Sequence, residues 1–262
     1  MMNLMRADIY RIIRGKSLYI TFAAIFALNL LSISAMLDVQ VLRVGPMPAL
    51  EQQAMRFNGA NIAEVLYNRT YNLIFFLLPL LIAVAAPIFS NGTVKNDIAW
   101  GVSRTKLYFS KLLCGAALCA LMLLFYVSSG MVVATVFHGF GDIASGFWVG
   151  LLQTLGMQLF MLLAMSCIGI FLMFTTKRTS AVVSAYITFA AAPIIIVAIL
   201  MDVANINPVR LLDFDILLTI RRLGFMGQME ASEIRTALGV GTAYMFLTTA
   251  AGIMLFRKAE IK

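Results

Sequence analysis

Charge is scarce in this sequence. Only 12% of its 262 residues are Asp, Glu, Lys or Arg, about half the share of an ordinary soluble domain, while 61% are apolar. The scarcity is also patterned. Six windows, Ser17–Leu37, Tyr71–Ser90, Leu112–Phe137, Ile143–Thr176, Thr179–Met201 and Ala237–Phe256, contain no Asp, Glu, Lys, Arg or His. Each reaches the roughly 20 residues with which a helix crosses a hydrocarbon core of about 30 Å. One charge at mid-bilayer costs about 2.5–3.5 kcal/mol on insertion scales, so six cleared windows exclude a water-soluble fold. They predict an all-α polytopic membrane protein with six transmembrane helices in a single domain, 1–262.

Other absences narrow the chemistry. Histidine occurs once, at His138, which cannot form a zinc-protease pair and reads as a polar cap at the outer end of the third span. The three cysteines, Cys114, Cys119 and Cys167, all fall inside spans, at spacings of neither a zinc site nor a disulfide framework, and read as packing residues. Gly15-Lys16-Ser17 looks like the end of a phosphate-binding loop, but Tyr10 stands where that motif needs glycine. No serine lies in the glycine setting of a hydrolase nucleophile. The chain therefore reads as no enzyme, with no catalytic, metal or cofactor residues of its own. The midplanes offer only neutral polar groups such as Asn29, Gln153, Gln158 and Ser166, and no internal repeat is evident. A proton- or sodium-coupled carrier is disfavoured on both grounds. Energy for transport must come from elsewhere, or transport must be passive.

The charge that is present is sorted. Six spans would put both termini on one side, together with thirteen of the 20 cations and only Asp8, Asp97 and Glu260 among the 12 anions. The other side would hold seven cations and nine anions, so the net +8 divides as +10 and −2. The positive-inside rule makes the first side, with both termini, cytoplasmic. A basic balance of this kind is topological, meeting anionic lipid or a protein partner, and calls for no nucleic acid. The charged start Met1–Lys16 is too long for a secretory signal and no small-residue cleavage site follows it.

Four segments outside the spans carry pattern. Met1–Lys16 places Met5, Ile9, Ile12 and Ile13 on one helical face with Arg6 and Arg14 outside it, which predicts a helix lying in the membrane interface. In Asp38–Thr70 a Gly45-Pro46-Met47-Pro48 turn precedes Asn61 and Glu64, a capping box for a helix leading into the second span. In Asp202–Thr236, Asn207 fits an N-cap, Pro208 the first helical position and Gly224 the end. Val209, Leu212, Ile216, Ile220 and Leu223 recur between them, predicting an external helix that dips into the outer leaflet.

The fourth segment, Phe89–Leu113, is the most informative. A plain connector needs two or three polar residues. Here Gly92-Thr93 opens a two-turn helix, with Thr93 as its cap, Gly101 closes it, and Ser103-Arg104 leads into the next span. Val94 and Ile98 share a face and Trp100 projects from the last turn. An exposed tryptophan at a membrane edge is an interfacial anchor or a knob for a partner; the surrounding Lys95, Asp97, Arg104 and Lys106 resemble the polar rim of the latter. A folded, basic element at a membrane face is what a transporter needs to receive force from a cytosolic motor.

The run Gly92, Thr93, Lys95, Asn96, Gly101, Ser103, Arg104, Tyr108, Ser110 and Lys111, together with the amphipathic start and the span pattern, resembles permeases of the type-2 ABC transporter family. It is most similar to small Gram-positive permeases of peptide-toxin export, bacteriocin immunity and antimicrobial-peptide resistance. The resemblance implies a half-transporter in a bacterial cytoplasmic membrane: two copies of the permease above two copies of a separate cytosolic ATPase, which binds the ATP and Mg. It implies a coupling loop at 91–111, with Thr93, Val94, Lys95, Asp97, Ile98, Trp100, Arg104 and Lys106 at the ATPase, flanked by an elbow helix at 1–16 with Arg6, Ile9, Ile12, Ile13 and Arg14. Substrate would pass through a cavity lined by spans one, two and five and lidded by 202–236. Phe22, Phe26, Asn29, Phe75, Phe76, Tyr186 and Phe189 suit a hydrophobic or amphipathic peptide there. Two other classes stay open. A passive channel would pass solute without ATP, and a non-transporting regulator or anchor would tolerate substitutions along spans one, two and five.

Overall fold

Apolar runs in this chain fold into helices because a backbone in hydrocarbon must satisfy its own hydrogen bonds. The structure, a computed structural model, describes residues 2–34, 58–90, 92–142, 145–204, 215–223 and 231–258, and the side chains of these except 2, 3, 194, 197–204, 221 and 222. The described helices are α1 (Met2–Arg14), α2 (Lys16–Ser34), α3 (Ile62–Asn68), α4 (Leu73–Ser90), α5 (Thr93–Ala99), α6 (Arg104–His138), α7 (Phe147–Thr176), α8 (Thr179–Ala204), α9 (Ile216–Arg222) and α10 (Ala231–Lys258). A 3-10 turn, Thr70–Asn72, leads into α4, and no strand occurs among the described residues.

Burial orders the bundle. In its most apolar window α7 buries 56% of its residues, against 28% for α2 and 17% for α10, so α7 is central and the other two are peripheral. At one end of the bundle the rings of Phe89, Phe174, Tyr108 and Phe256 interlock edge to face, joining α4, α7, α6 and α10. Arg11 of α1 donates to the Val84 carbonyl of α4, and Arg104 donates to the carbonyls of Phe256 and Arg257. This end gathers α1, α5, the α7–α8 link and the end of α10, with most of the cations; we call it the basic end. At the far end, His138 Nε2 lies 2.9 Å from the Ile33 carbonyl oxygen, and the amides of Gly59 and Ala60 donate to the carbonyls of Gly139 and Phe140.

The span count differs from expectation. Among the described residues five helical segments, not six, are long and apolar enough to cross a membrane: Lys16–Ser34, Thr70–Ser90, Arg104–His138, Phe147–Thr176 and Ala231–Lys258. The expected fifth window, Thr179–Met201, lies in α8, whose apolar stretch counts only over Thr179–Pro193. Fifteen residues rise about 22 Å, short of a core of about 30 Å. Pro193 also lacks the amide that would bond back to the preceding turn. The helix nevertheless continues through Pro193 to Ala204, as α4 continues through Pro79 and Pro87.

Two smaller expectations also change. Asn61 does precede α3, but its side chain makes no capping bond; its amide instead donates to Asn58 Oδ1. That helix stops at Asn68, and the 3-10 turn intervenes before α4. Of the expected external helix, Asn207, Pro208, Val209, Leu212 and Gly224 lie outside the described residues, as does the Gly45–Pro48 turn. In the described part, α9 buries Ile216 and Ile220, Leu223 is buried just past its end, and Asp215 Oδ1 accepts the Leu217 amide at its start.

Candidate functional site

The connector at the basic end is built from glycine and serine chemistry. Gly92 takes φ +64°, a left-handed conformation that lets the chain leave α4 and start α5 at once. Gly92 rather than Thr93 is thus the cap residue; Thr93 Oγ1 donates back to the Ile88 carbonyl at 3.5 Å. At the other end the amides of Trp100, Gly101 and Val102 donate to the carbonyls of Asn96, Ile98 and Asp97, with Gly101 at φ +81°. Ser103 is extended and its hydroxyl accepts the Lys106 amide, opening α6.

Packing then fixes which side faces out. Val94 is buried and Ile98 half-buried against the core, so one face of α5 is seated on the bundle. Trp100, one residue past the helix, is 88% exposed. Lys95 and Lys106 are exposed and Asp97 half-buried. Arg104 turns inward, giving its guanidinium to the last carbonyls of α10, where a cation also meets the negative end of the helix dipole.

Beside α5, the first helix is held by a buried ion pair. Both carboxylate oxygens of Asp8 lie 2.5 Å from Lys111 Nζ, and Arg11 Nη2 lies 3.0 Å from one of them. Asp8 and Lys111 are 4% and 3% exposed. With Asp8 turned to the bundle, Ile12 is buried beside it, while Ile9 and Ile13 remain exposed together with Tyr10. Arg14 covers the Tyr10 ring at 4.3 Å, and Arg6 is exposed. The helix therefore sets a mixed face, Asp8 and Ile12, on the bundle and leaves Ile9 and Ile13 of the apolar stripe outside. Asp8 and Lys111 are 103 residues apart in sequence. The signal that could have found them was a lone acid in a basic helix and a lysine two turns into a membrane span.

The aromatic residues considered for a cavity are dispersed among several helix pairs. Phe22 packs on Phe125, with ring centroids 4.7 Å apart, and buried Asn29 donates to the Tyr126 carbonyl and to Ser129 Oγ, all of α6. Tyr186 is buried and donates to the Ile74 carbonyl of α4; Phe189 meets Tyr244 of α10 edge to face. Phe75 and Phe76 are half-buried, and Phe26 is exposed.

Among the described residues no group of three or more His, Cys, Asp or Glu is placed to hold a metal ion. What this end offers is an exposed indole beside the exposed cations Lys95 and Lys106. The family model of ABC-2 family transporter proteins matches residues 4–194, from α1 into α8. No curated protein matches the chain. Such permeases carry out no catalysis, are embedded in membranes and work with a cytosolic ATPase. With a match over more than half its length, the chain belongs to the ABC-2 transporter family, as a multi-pass membrane permease.

Proposed function

We propose that this chain is the membrane half of an ATP-driven exporter and that α5 with Trp100 is its docking element for the ATPase. The observation that carries this is the pairing of a seated helix with an 88% exposed tryptophan at the basic end. A two-turn helix has little stability of its own. Here Val94 and the flanking turns hold it, so the backbone that carries Trp100 is ordered before binding. Burying an indole in a partner contributes a few kcal/mol, about the scale of an interface hot spot. The basic end faces the cytosol in this reading, two copies pair above two ATPases, and the cargo is hydrophobic or amphipathic, as a peptide is. The apolar exposure of Tyr19, Ile20 and Phe26 along α2 supports such cargo. Secretion, immunity and antimicrobial-peptide resistance are all roles that such a permease serves.

The test is Trp100→Ala, measuring membrane insertion, ATPase copurification and transport separately. Insertion persists, whereas copurification falls at least tenfold and transport falls with it. Full copurification and transport in the variant would reduce the segment to a connector. Ile98→Asp is a poorer probe, because Ile98 packs against the core and its loss would unseat α5.

A further inference from the structure

A cavity of about 320 Å³ opens at the basic end where α4, α7 and α8 meet. Ala86 and Phe89 of α4 and Met173 of α7 form its apolar wall. Its rim is polar, made of Ser90, Ser180 and the two cations Lys177 and Arg178. Those cations are the whole link between α7 and α8, and both are exposed. No carboxylate of a described residue pairs with either, and none lines the cavity. The link itself is tied down: the Lys177 amide donates to the Met173 carbonyl at 2.9 Å, and the Arg178 carbonyl accepts the Val182 amide at 3.1 Å.

We propose that this cavity binds an anionic phospholipid, its headgroup phosphate between Lys177 and Arg178 and an acyl chain along Ala86, Phe89 and Met173. Depth favours a lipid. Ser90 ends α4, Thr176 ends α7 and Thr179 starts α8, so the cavity lies where apolar helices give way to the headgroup layer. Chemistry favours an amphiphile with an acidic head, because two unpaired cations share the cavity with an apolar wall. The Ser180 hydroxyl and the first amides of α8 add donors to those cations. The inference does not depend on transport, since it needs neither ATP nor an ATPase.

Native mass spectrometry of the full chain in neutral detergent tests it, titrating phosphatidylglycerol, phosphatidylcholine and inorganic phosphate in turn. The wild type binds phosphatidylglycerol at least tenfold more tightly than phosphatidylcholine. Lys177→Asn/Arg178→Gln removes both charges, and asparagine tolerates the φ of +56° at position 177. Ser180→Asp instead sets a carboxylate against the phosphate, at an exposed first-turn position where an acid suits the helix. Each variant loses at least tenfold of its affinity for phosphatidylglycerol, with unchanged helix content and phosphatidylcholine binding. Should the double variant misfold, Ser180→Asp decides alone. Undiminished phosphatidylglycerol binding in the folded variants overturns the proposal. So does equal displacement by millimolar inorganic phosphate, which would make the occupant a soluble anion.

Discussion

A lysine in the second turn of a membrane helix ordinarily extends to the interface, but Lys111 turns inward to Asp8. Removing one member of a buried pair strands the other charge, at a cost of about 3–5 kcal/mol, whereas replacing both with apolar side chains is often neutral. Lys111→Met alone therefore destabilises the detergent-solubilised chain strongly, and Asp8→Leu/Lys111→Met recovers most of the loss in thermal unfolding. Additive losses would show that the pair is not coupled. Asp215 makes a different prediction. Burial pushes its carboxyl up, the amides of Leu217 and Leu218 pull it partly back, and Oδ2 has no partner. A raised carboxyl binds its proton more readily in the folded state than in the unfolded one. Its contribution to stability is therefore lost as pH rises from the ordinary carboxylate range through the raised value. Asp215→Asn keeps an oxygen for the Leu217 amide and removes the charge. The variant's unfolding midpoint should decline less over that range than the wild type's; a steeper decline would contradict the assignment.

Between elements, close helix contact rests on particular glycines. A methyl group on Gly252 of α10 would stand 2.3 Å from the Tyr108 hydroxyl oxygen, which donates to the Thr248 carbonyl beside it. Gly252→Ala must part α10 from α6 and costs about 1–3 kcal/mol. Gly156→Ala meets nothing within 4 Å and costs nothing measurable in the same melt. Equal melts for the two would show that the α6–α10 contact is looser than described. At this scale the connector was legible in the sequence, because Gly92, Gly101 and Ser103 are local punctuation and the bonds they serve span three to five residues. The cap was misplaced by one residue, since a left-handed glycine and a threonine hydroxyl compete for the same role. The buried face of α1 was not legible. It is decided by a lysine in another helix, and no periodicity within Met2–Arg14 reports that.

For the whole molecule, membrane embedding was readable from charge-free windows, but the number of crossings was not. Composition reads Thr179–Met201 as a span; among the described residues five helical segments have the length and hydropathy of a crossing, and α8 counts only over Thr179–Pro193. Of the aromatic residues expected to line a substrate path, Phe22, Tyr186 and Phe189 meet partners on three different helices. What unites the molecule is its basic end, where α1, α6 and α10 are tied by Asp8, Lys111 and Arg104, leaving Trp100 outside. The central claim is that this tryptophan enters the ATPase. The chain has only two tryptophans, Trp100 and Trp148. With Trp148→Phe and fluorotryptophan incorporated into the permease alone, a fluorine resonance reports on position 100 without signal from the partner. Adding the unlabelled ATPase that copurifies with the chain should shift and broaden that resonance and shield it from a soluble paramagnetic quencher. An unshifted resonance, equally quenched at saturating ATPase, would contradict the claim.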